Sequence, residues 1–284
     1  MTAPQGASQE QSSHIIPESA YVFSNDRQEG VRLDNQYKIL KKSFGNNVLY
    51  TPVSLSSEAE VLDSGCGTEA WVKDMSHVFP LVKIIGIDMS TNLFPQNSAN
   101  ITFLKHSILS LPRTWTNKFD LVHQSVLFSA LTISEWPIAL AEILRVTKPG
   151  GSVQLMEPVF GIRADRHMYH VANALGRARN LLIDDRFGAL KNMLKDVGCI
   201  NVTMARSSFA PEEWSDEERM LARGTYISAI ASIKDVLLGS GGTPGVETAE
   251  EFDELMEACE DDGPEVGSID GPDYEAWAFY ATKP

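Results

Sequence analysis

The residues with the clearest capacity for chemistry fall in the run Val61-Leu62-Asp63-Ser64-Gly65-Cys66-Gly67-Thr68-Glu69-Ala70-Trp71. An apolar stretch ends at an acid, two glycines follow, and a helical pattern begins. Such a turn lets the backbone press against a ligand while the amides of the helix start point toward it. A second apolar run, Ile84-Ile85-Gly86-Ile87, ends at Asp88, 25 residues after Asp63. An acid near that distance is placed to bind both hydroxyls of a ribose. A glycine turn alone says little; its pairing with two strand-terminal acids is what narrows the chemistry to a nucleoside-bearing ligand.

Both acids need strands beneath them. Short apolar runs at Ala59–Leu62, Lys83–Ile87, Ile101–Leu104, Leu121–Val122 continuing toward Leu127, and Ser152–Met156 alternate with helical patterns. Runs of this kind read as parallel strands buried on both faces, with binding loops at their carboxyl ends. Asn201–Ala205 and Tyr274–Ala281 add two more strands, which predicts a doubly wound, mostly parallel seven-stranded α/β sheet. One helix is well marked between the fourth and fifth runs. Ser134 can cap it, Pro137 sits in its first turn, Trp136, Leu140, Ile143 and Leu144 form its stripe, and Lys148-Pro149-Gly150-Gly151 stops it. His167–Leu182, Phe187–Val197, Glu212–Leu238 and Ala249–Ala258 read as further helices, so a helical insertion is expected before the last strand. The resulting layout is a disordered tail at 1–20 and a single domain over 21–284. Within it, 21–58 is a helical cover, 59–157 the cofactor half, 158–272 the substrate-side helices and acidic insertion, and 273–284 the last strand.

The chain has 284 residues, 43% hydrophobic and 22% charged, the composition of a folded protein with a sizeable core. No apolar run approaches the roughly 20 residues that span a bilayer, and the first twenty residues lack the basic start and apolar block of a secretory leader. The expectation is a cytoplasmic protein with no membrane partner. Cys66, Cys199 and Cys259 lie far apart without a CxxC pair, which argues against a disulfide framework and a cysteine zinc site. The net charge of −14 is unevenly held: residues 211–284 carry 19 Asp and Glu against 4 Lys and Arg, while the rest is close to balance. An acidic surface repels phosphate backbones and no basic patch offsets it, so nucleic acid is not an expected partner. The acidic stretch reads as solvated helix faces.

The segments DSGCGT, IIGIDMS, FDLVHQS and EILRVTKPGGSVQLMEP resemble, in order and spacing, the class I S-adenosylmethionine-dependent methyltransferases. NDRQEGVRLDNQYKIL, SEWPIALAEILRVTKPGG and YEAWAFYATKP are similar, more narrowly, to the fungal secondary-metabolism methyltransferases related to the LaeA regulator. The resemblance covers about residues 21–284. It implies S-adenosylmethionine as cofactor, with Asp63, Gly65 and Gly67 around its methionine part, Asp88 on the ribose and Met89 against the adenine. Ser107 stands where the family usually has an acid facing the adenine amino group, and Gln124 would lie beside the sulfonium. Glu69 replaces the family's third glycine; a carboxylate at a helix start is electrostatically favoured.

A sulfonium methyl is already activated, so the protein must mainly align a small-molecule acceptor and exclude water. A base is needed only where the acceptor must lose a proton, and His123, Glu157, His167 and His170 are the candidates. The last two lie three apart and share a helix face, but a metal site there would need a third ligand that the sequence does not identify. Tyr21, Phe23, Phe128, Glu157 and Phe160 are candidate substrate contacts. Residues 21–44, with the stripe Leu33, Tyr37, Leu40 and Phe44, precede the first strand and are expected to close over the cleft. The expected activity is O-methylation of a fungal secondary metabolite by a monomer or homodimer. Two alternatives stand beside it: a regulatory homologue that binds a protein partner, and a catalyst that uses the bound cation only to stabilise negative charge.

Overall fold

Strands form where short β-branched and apolar runs are buried on both faces. They are β1 (Glu60–Ser64), β2 (Lys83–Asp88), β3 (Ile101–Lys105), β4 (Phe119–Ser125), β5 (Thr147–Pro158), β6 (Ile200–Arg206) and β7 (Ala276–Thr282). In this computed structural model, which describes residues 26–50, 53–158, 166–182, 186–207, 214–261 and 276–284, they make one seven-stranded sheet in the order β3-β2-β1-β4-β5-β7-β6. Pairs among β1 to β5 are parallel, and β7 runs antiparallel to both β5 and β6.

Alternation along the central strands builds two cores. Val61 and Leu121 share a cluster with Trp71, Val72 and Met75 of α2 (Ala70–Val78). Their neighbours Leu62 and Val122 face the other way, toward Trp136, Leu140 and Ile143 of α3 (Trp136–Val146) and Leu190 and Leu194 of α5 (Arg186–Asp196). Two-sided burial is what a parallel sheet requires. The expected cap of α3 is corrected by one residue. Glu135, not Ser134, holds the N-cap position, and its carboxylate turns back to accept from the Thr132 amide and hydroxyl, each at 2.8 Å.

The region read as one long helix at 212–238 divides into α6 (Asp216–Ala231) and α7 (Lys234–Gly239). A capping box starts α6, with Ser215 and Glu218 each satisfying the other's backbone amide. Between β6 and β7, α6, α7 and α8 (Ala249–Asp261) pack with α4 (Arg166–Ala178) around Val171, Leu175, Tyr226, Ile230, Leu237 and Phe252. The helical insertion thus has a small core of its own. Among the described residues no helix is long and apolar enough to cross a membrane.

The sequence places a helix at Val31–Phe44; α1 runs over Arg27–Ser43, capped by Asp26, whose side chain accepts from the Glu29 amide at 2.9 Å. Left-handed Gly45 and Asn46 stop it, with the Asn46 amide donating to Lys41 O at 2.9 Å. Ile39 packs with Trp214 and Ala222, and Lys42 pairs with Glu218 at 2.6 Å, so α1 leans on α6. The expected tail at 1–20 lies outside the described residues.

Candidate active site

The glycine turn after β1 is built by the backbone. Gly65 and Gly67 have φ of +72° and +52°, the left-handed region where only glycine is unstrained. The Gly65 and Cys66 amides both donate to Ile87 O, at 2.8 and 3.0 Å, which folds the turn against the end of β2. A Cβ on Gly65 would stand 2.8 Å from the Leu127 side chain, so the bare backbone is required at that approach. The Gly67 amide donates to Asp88 Oδ2 at 3.1 Å, and the Ser90 amide donates to Oδ1 at 3.0 Å. Asp88 therefore ties the two strand ends together and still has open lone-pair directions. Burial pushes its carboxyl above the ordinary value despite those amides.

Glu69 occupies the next left-handed position, φ +83°, at the N-cap of α2, and makes no side-chain cap. Its side chain does not line the cavity described below. The geometry explains why a glycine belongs there: Glu69 carries left-handed strain that a glycine would not.

A cavity of about 860 Å³ opens at the carboxyl ends of β1, β2 and β4, where open α/β sheets bind ligands. Asp63, Gly65, Gly67, Asp88, Met89 and Ser107 all line it. Met89 is 44% exposed, and Ser107 accepts from the Leu109 amide at 3.2 Å. Beside them stand His106, Ile108, Leu109 and Leu93, which the sequence reading did not single out.

Other expected residues sit differently. Gln124 is fully buried and does not line the cavity; it accepts from Ser64 Oγ at 3.4 Å on the opposite face of β4 from His123. Strand alternation turns it away from the site. Glu157 is fully buried and accepts from the Leu127 and Phe128 amides at 3.1 and 3.2 Å, which anchors the loop after β4. Phe128 is buried in the α3-side core and is not part of the cavity wall. His123 reaches the wall but offers no base to it. It is 1% exposed, its Nδ1 lies 2.7 Å from Asp63 Oδ1, and its Nε2 is buried without a partner. Tyr21, Phe23 and Phe160 lie outside the described residues. His167 and His170 fall in α4, and their side chains lie outside the described residues too.

The helix α1 covers the cavity. Leu33, Gln36, Tyr37 and Leu40 form part of its wall. Tyr37 donates to Asp74 Oδ2 at 2.8 Å, and Lys41 reaches the same oxygen at 2.6 Å, so α1 is fastened to α2. Thr68, in the glycine turn, donates to Asp34. Burial and the bond to Asp74 push the Tyr37 phenol well above its ordinary value, which keeps it a neutral donor. The rest of the wall comes from the loop after β4, with Val126, Leu127, Ala130, Leu131 and Glu135, and from Arg179 and Val236 in the helical part. Gln36 was hidden in the sequence by its place between apolar stripe residues. Glu135 lies in the SEWPIALAEILRVTKPGG segment without having been read as a wall residue, Arg179 and Val236 carry no motif, and only the fold brings the three together.

Residues 61–151 match the family described as "Methyltransferase domain". The chain is 31% identical over 147 residues to the N-methyltransferase verN of Clonostachys rogersoniana, a match covering 50% of this chain and 51% of that protein. The chain thus spans about half the length of that relative. It is 27% identical over 267 residues to the methyltransferase grgD of a Penicillium species, covering 86% of this chain and 90% of the other. Among solved structures, it resembles the Haemonchus contortus phosphoethanolamine N-methyltransferase 2 in complex with S-adenosyl-L-methionine. There the TM-score is 0.53 at 16% identity, covering 88% of this chain and 57% of that one, a likeness of fold.

Proposed function

We propose that this chain, whose residues 61–151 match the methyltransferase-domain family, is a class I S-adenosylmethionine-dependent methyltransferase that binds S-adenosylmethionine at the glycine turn and methylates a small molecule held under α1. The observation that carries this reading is the left-handed Gly65–Gly67 turn, whose Gly67 amide is held by Asp88 at the cavity rim. The residues fit the cofactor. A bare glycine backbone, two strand-terminal carboxylates and the exposed Met89 supply what a methionine moiety, a ribose and an adenine each need. Bound there, the cofactor supplies a methyl group already activated on a sulfonium.

The chain's own residues do the rest. Asp88 would accept the ribose hydroxyls with the lone pairs its backbone amide partners leave open. Helix α1 excludes water, fastened by Tyr37 and Lys41 to Asp74. Leu40, Val126, Leu127, Ala130 and Val236, which line the cavity, would hold an apolar acceptor.

The sequence favours oxygen as the acceptor atom, and two observations support nitrogen instead. Relatives that the chain resembles are named N-methyltransferases. His123 has Nδ1 engaged by Asp63 and Nε2 buried without a partner, so no proton abstraction is assigned to it, and an amine lone pair attacks without one. Incubation with cofactor labelled in its methyl carbon, offered to amines, phenols and carboxylic acids, tests this. A nitrogen-bound methyl signal is expected; an oxygen-bound one restores the sequence reading. Tight cofactor binding with no transfer to any acceptor class supports the non-methylating alternative.

A further inference from the structure

We propose that His123 is a positioning residue that sets the orientation of Asp63, so that the second carboxylate oxygen faces the cationic ammonium of the ligand's amino-acid end. This rests on the cofactor reading above. Asp63 and His123 are register partners on adjacent parallel strands and so project from the same face of the sheet. His123 Nδ1 lies 2.7 Å from Asp63 Oδ1, and a carboxylate partner places the ring proton on Nδ1. The imidazole stacks flat on the Trp71 indole, with centroids 3.9 Å apart and planes 2° from parallel. Trp71 is itself fixed, its Nε1 donating to Val48 O at 3.1 Å. The ring therefore has no freedom to swing toward the acceptor.

Asp63 shows the other half of the arrangement. Its side chain is 3% exposed, yet it lines the cavity, and His123 is its one hydrogen-bond partner among the described residues. A buried carboxylate is stable only when its remaining oxygen finds a partner. With Oδ1 turned to His123, Oδ2 is the oxygen left for the cavity, and a ligand cation is the partner that satisfies it. Asp88, which sits close enough to feel the charge of Asp63, marks this as the electronegative end of the cavity.

The test compares two probes on the full chain: S-adenosylhomocysteine, which has the amino-acid end, and 5′-deoxy-5′-methylthioadenosine, which lacks it. His123→Leu is expected to weaken the first by about tenfold, the loss of one charge-assisted contact, and the second by less than about twofold. His123→Asn, which keeps an N–H directed at Asp63, is expected to hold the first within about threefold of wild type. Equal weakening of both probes overturns the proposal, as does wild-type affinity in His123→Leu or a failure of His123→Asn to restore binding at unchanged melting temperature. In wild type, ¹⁵N NMR is expected to find the His123 proton on Nδ1; a proton on Nε2 overturns the proposal whether or not the variants fold. If wild type binds neither probe, the cofactor reading fails, and the tautomer measurement still decides the Asp63–His123 pairing.

Discussion

The two ends of the cavity are made differently. At the end proposed for the cofactor, the tips of β1 and β2 lie against each other and are tied by hydrogen bonds: the Gly65 and Cys66 amides to Ile87 O, and the Gly67 and Ser90 amides to the Asp88 carboxylate. At the acceptor end, the wall is a collection of single residues, Gln36 and Leu40 from α1, Glu135 at the start of α3, Arg179 beside α4 and Val236 from α7. The first end is held by the central sheet; at the second, Val236 packs against the small helical core, while Leu40 packs on Met156, Ala276 and Ala278 and α3 on the central core. Hydrogen bonds between neighbouring strand tips define the first end, whereas each contributor to the second answers to its own packing. A fold of this kind keeps one donor while its acceptors change.

That contrast can be broken in order of size. Asp88→Ala removes the acceptor of two loop amides and of the ribose together, and is expected to weaken S-adenosylmethionine by about 2–3 kcal/mol, or roughly 30- to 150-fold. Titration calorimetry with a melting control checks it; an affinity within about threefold of wild type would place the ribose elsewhere. Val236→Trp intrudes on the acceptor end alone. Overpacking there is expected to raise the acceptor KM by about tenfold while leaving the cofactor Kd within about twofold. Loss of both affinities together would mean that the two ends are one unit.

Smaller effects test the clasp between α1 and α2. Asp74→Ala strands Tyr37 and Lys41 and is expected to lower stability by about 1 kcal/mol near neutral pH after solvent screening. Burial alone would raise the Asp74 carboxyl, but its bonds to Lys41 and Tyr37 win and hold it below the usual value. A depressed folded value stabilises above the unfolded one and is lost as pH falls through the folded one. The melting gap between wild type and Asp74→Ala should therefore be full at pH 7 and shrink below about pH 4. A gap that stays constant with pH would remove charge from the account of the clasp.

Glu69→Gly gives the smallest change and the sharpest sign. Judged as a helix residue, Glu69 should be the more stabilising side chain. At φ +83° in the N-cap it is strained instead, and glycine is expected to raise stability by about 1 kcal/mol or less. Cofactor affinity should not change, because Glu69 does not line the cavity. A lower melting temperature or a tenfold loss of affinity would give Glu69 a role that the geometry denies it.

What was legible follows the same division. Asp63, Gly65, Gly67 and Asp88 were readable because each strand tip and its cavity-lining residues are contiguous in sequence. The stripe Leu33, Tyr37 and Leu40 was readable because helical spacing survives whatever the helix packs on. Gln124 was misplaced by one residue of strand alternation: the neighbouring His123 holds the cavity face, and Gln124 turns to Ser64. Glu157 was read as a candidate base and substrate contact because an acid after a strand invites that; only the Leu127 and Phe128 amides show it as a loop anchor. Arg179 and Val236 had no local signal at all, and the motif around Glu135 marked a helix start, since nothing within these segments depends on the cavity they share.

The separation of the two ends is tested most directly by amide chemical shifts in a ¹⁵N-labelled chain titrated with S-adenosylhomocysteine. The account predicts that the amides of Gly65, Gly67, Asp88 and Ser107 move most, while those of Val236 and Phe252 stay in place. Shifts centred on α7 and α8, or none at the glycine turn on saturation, would contradict it.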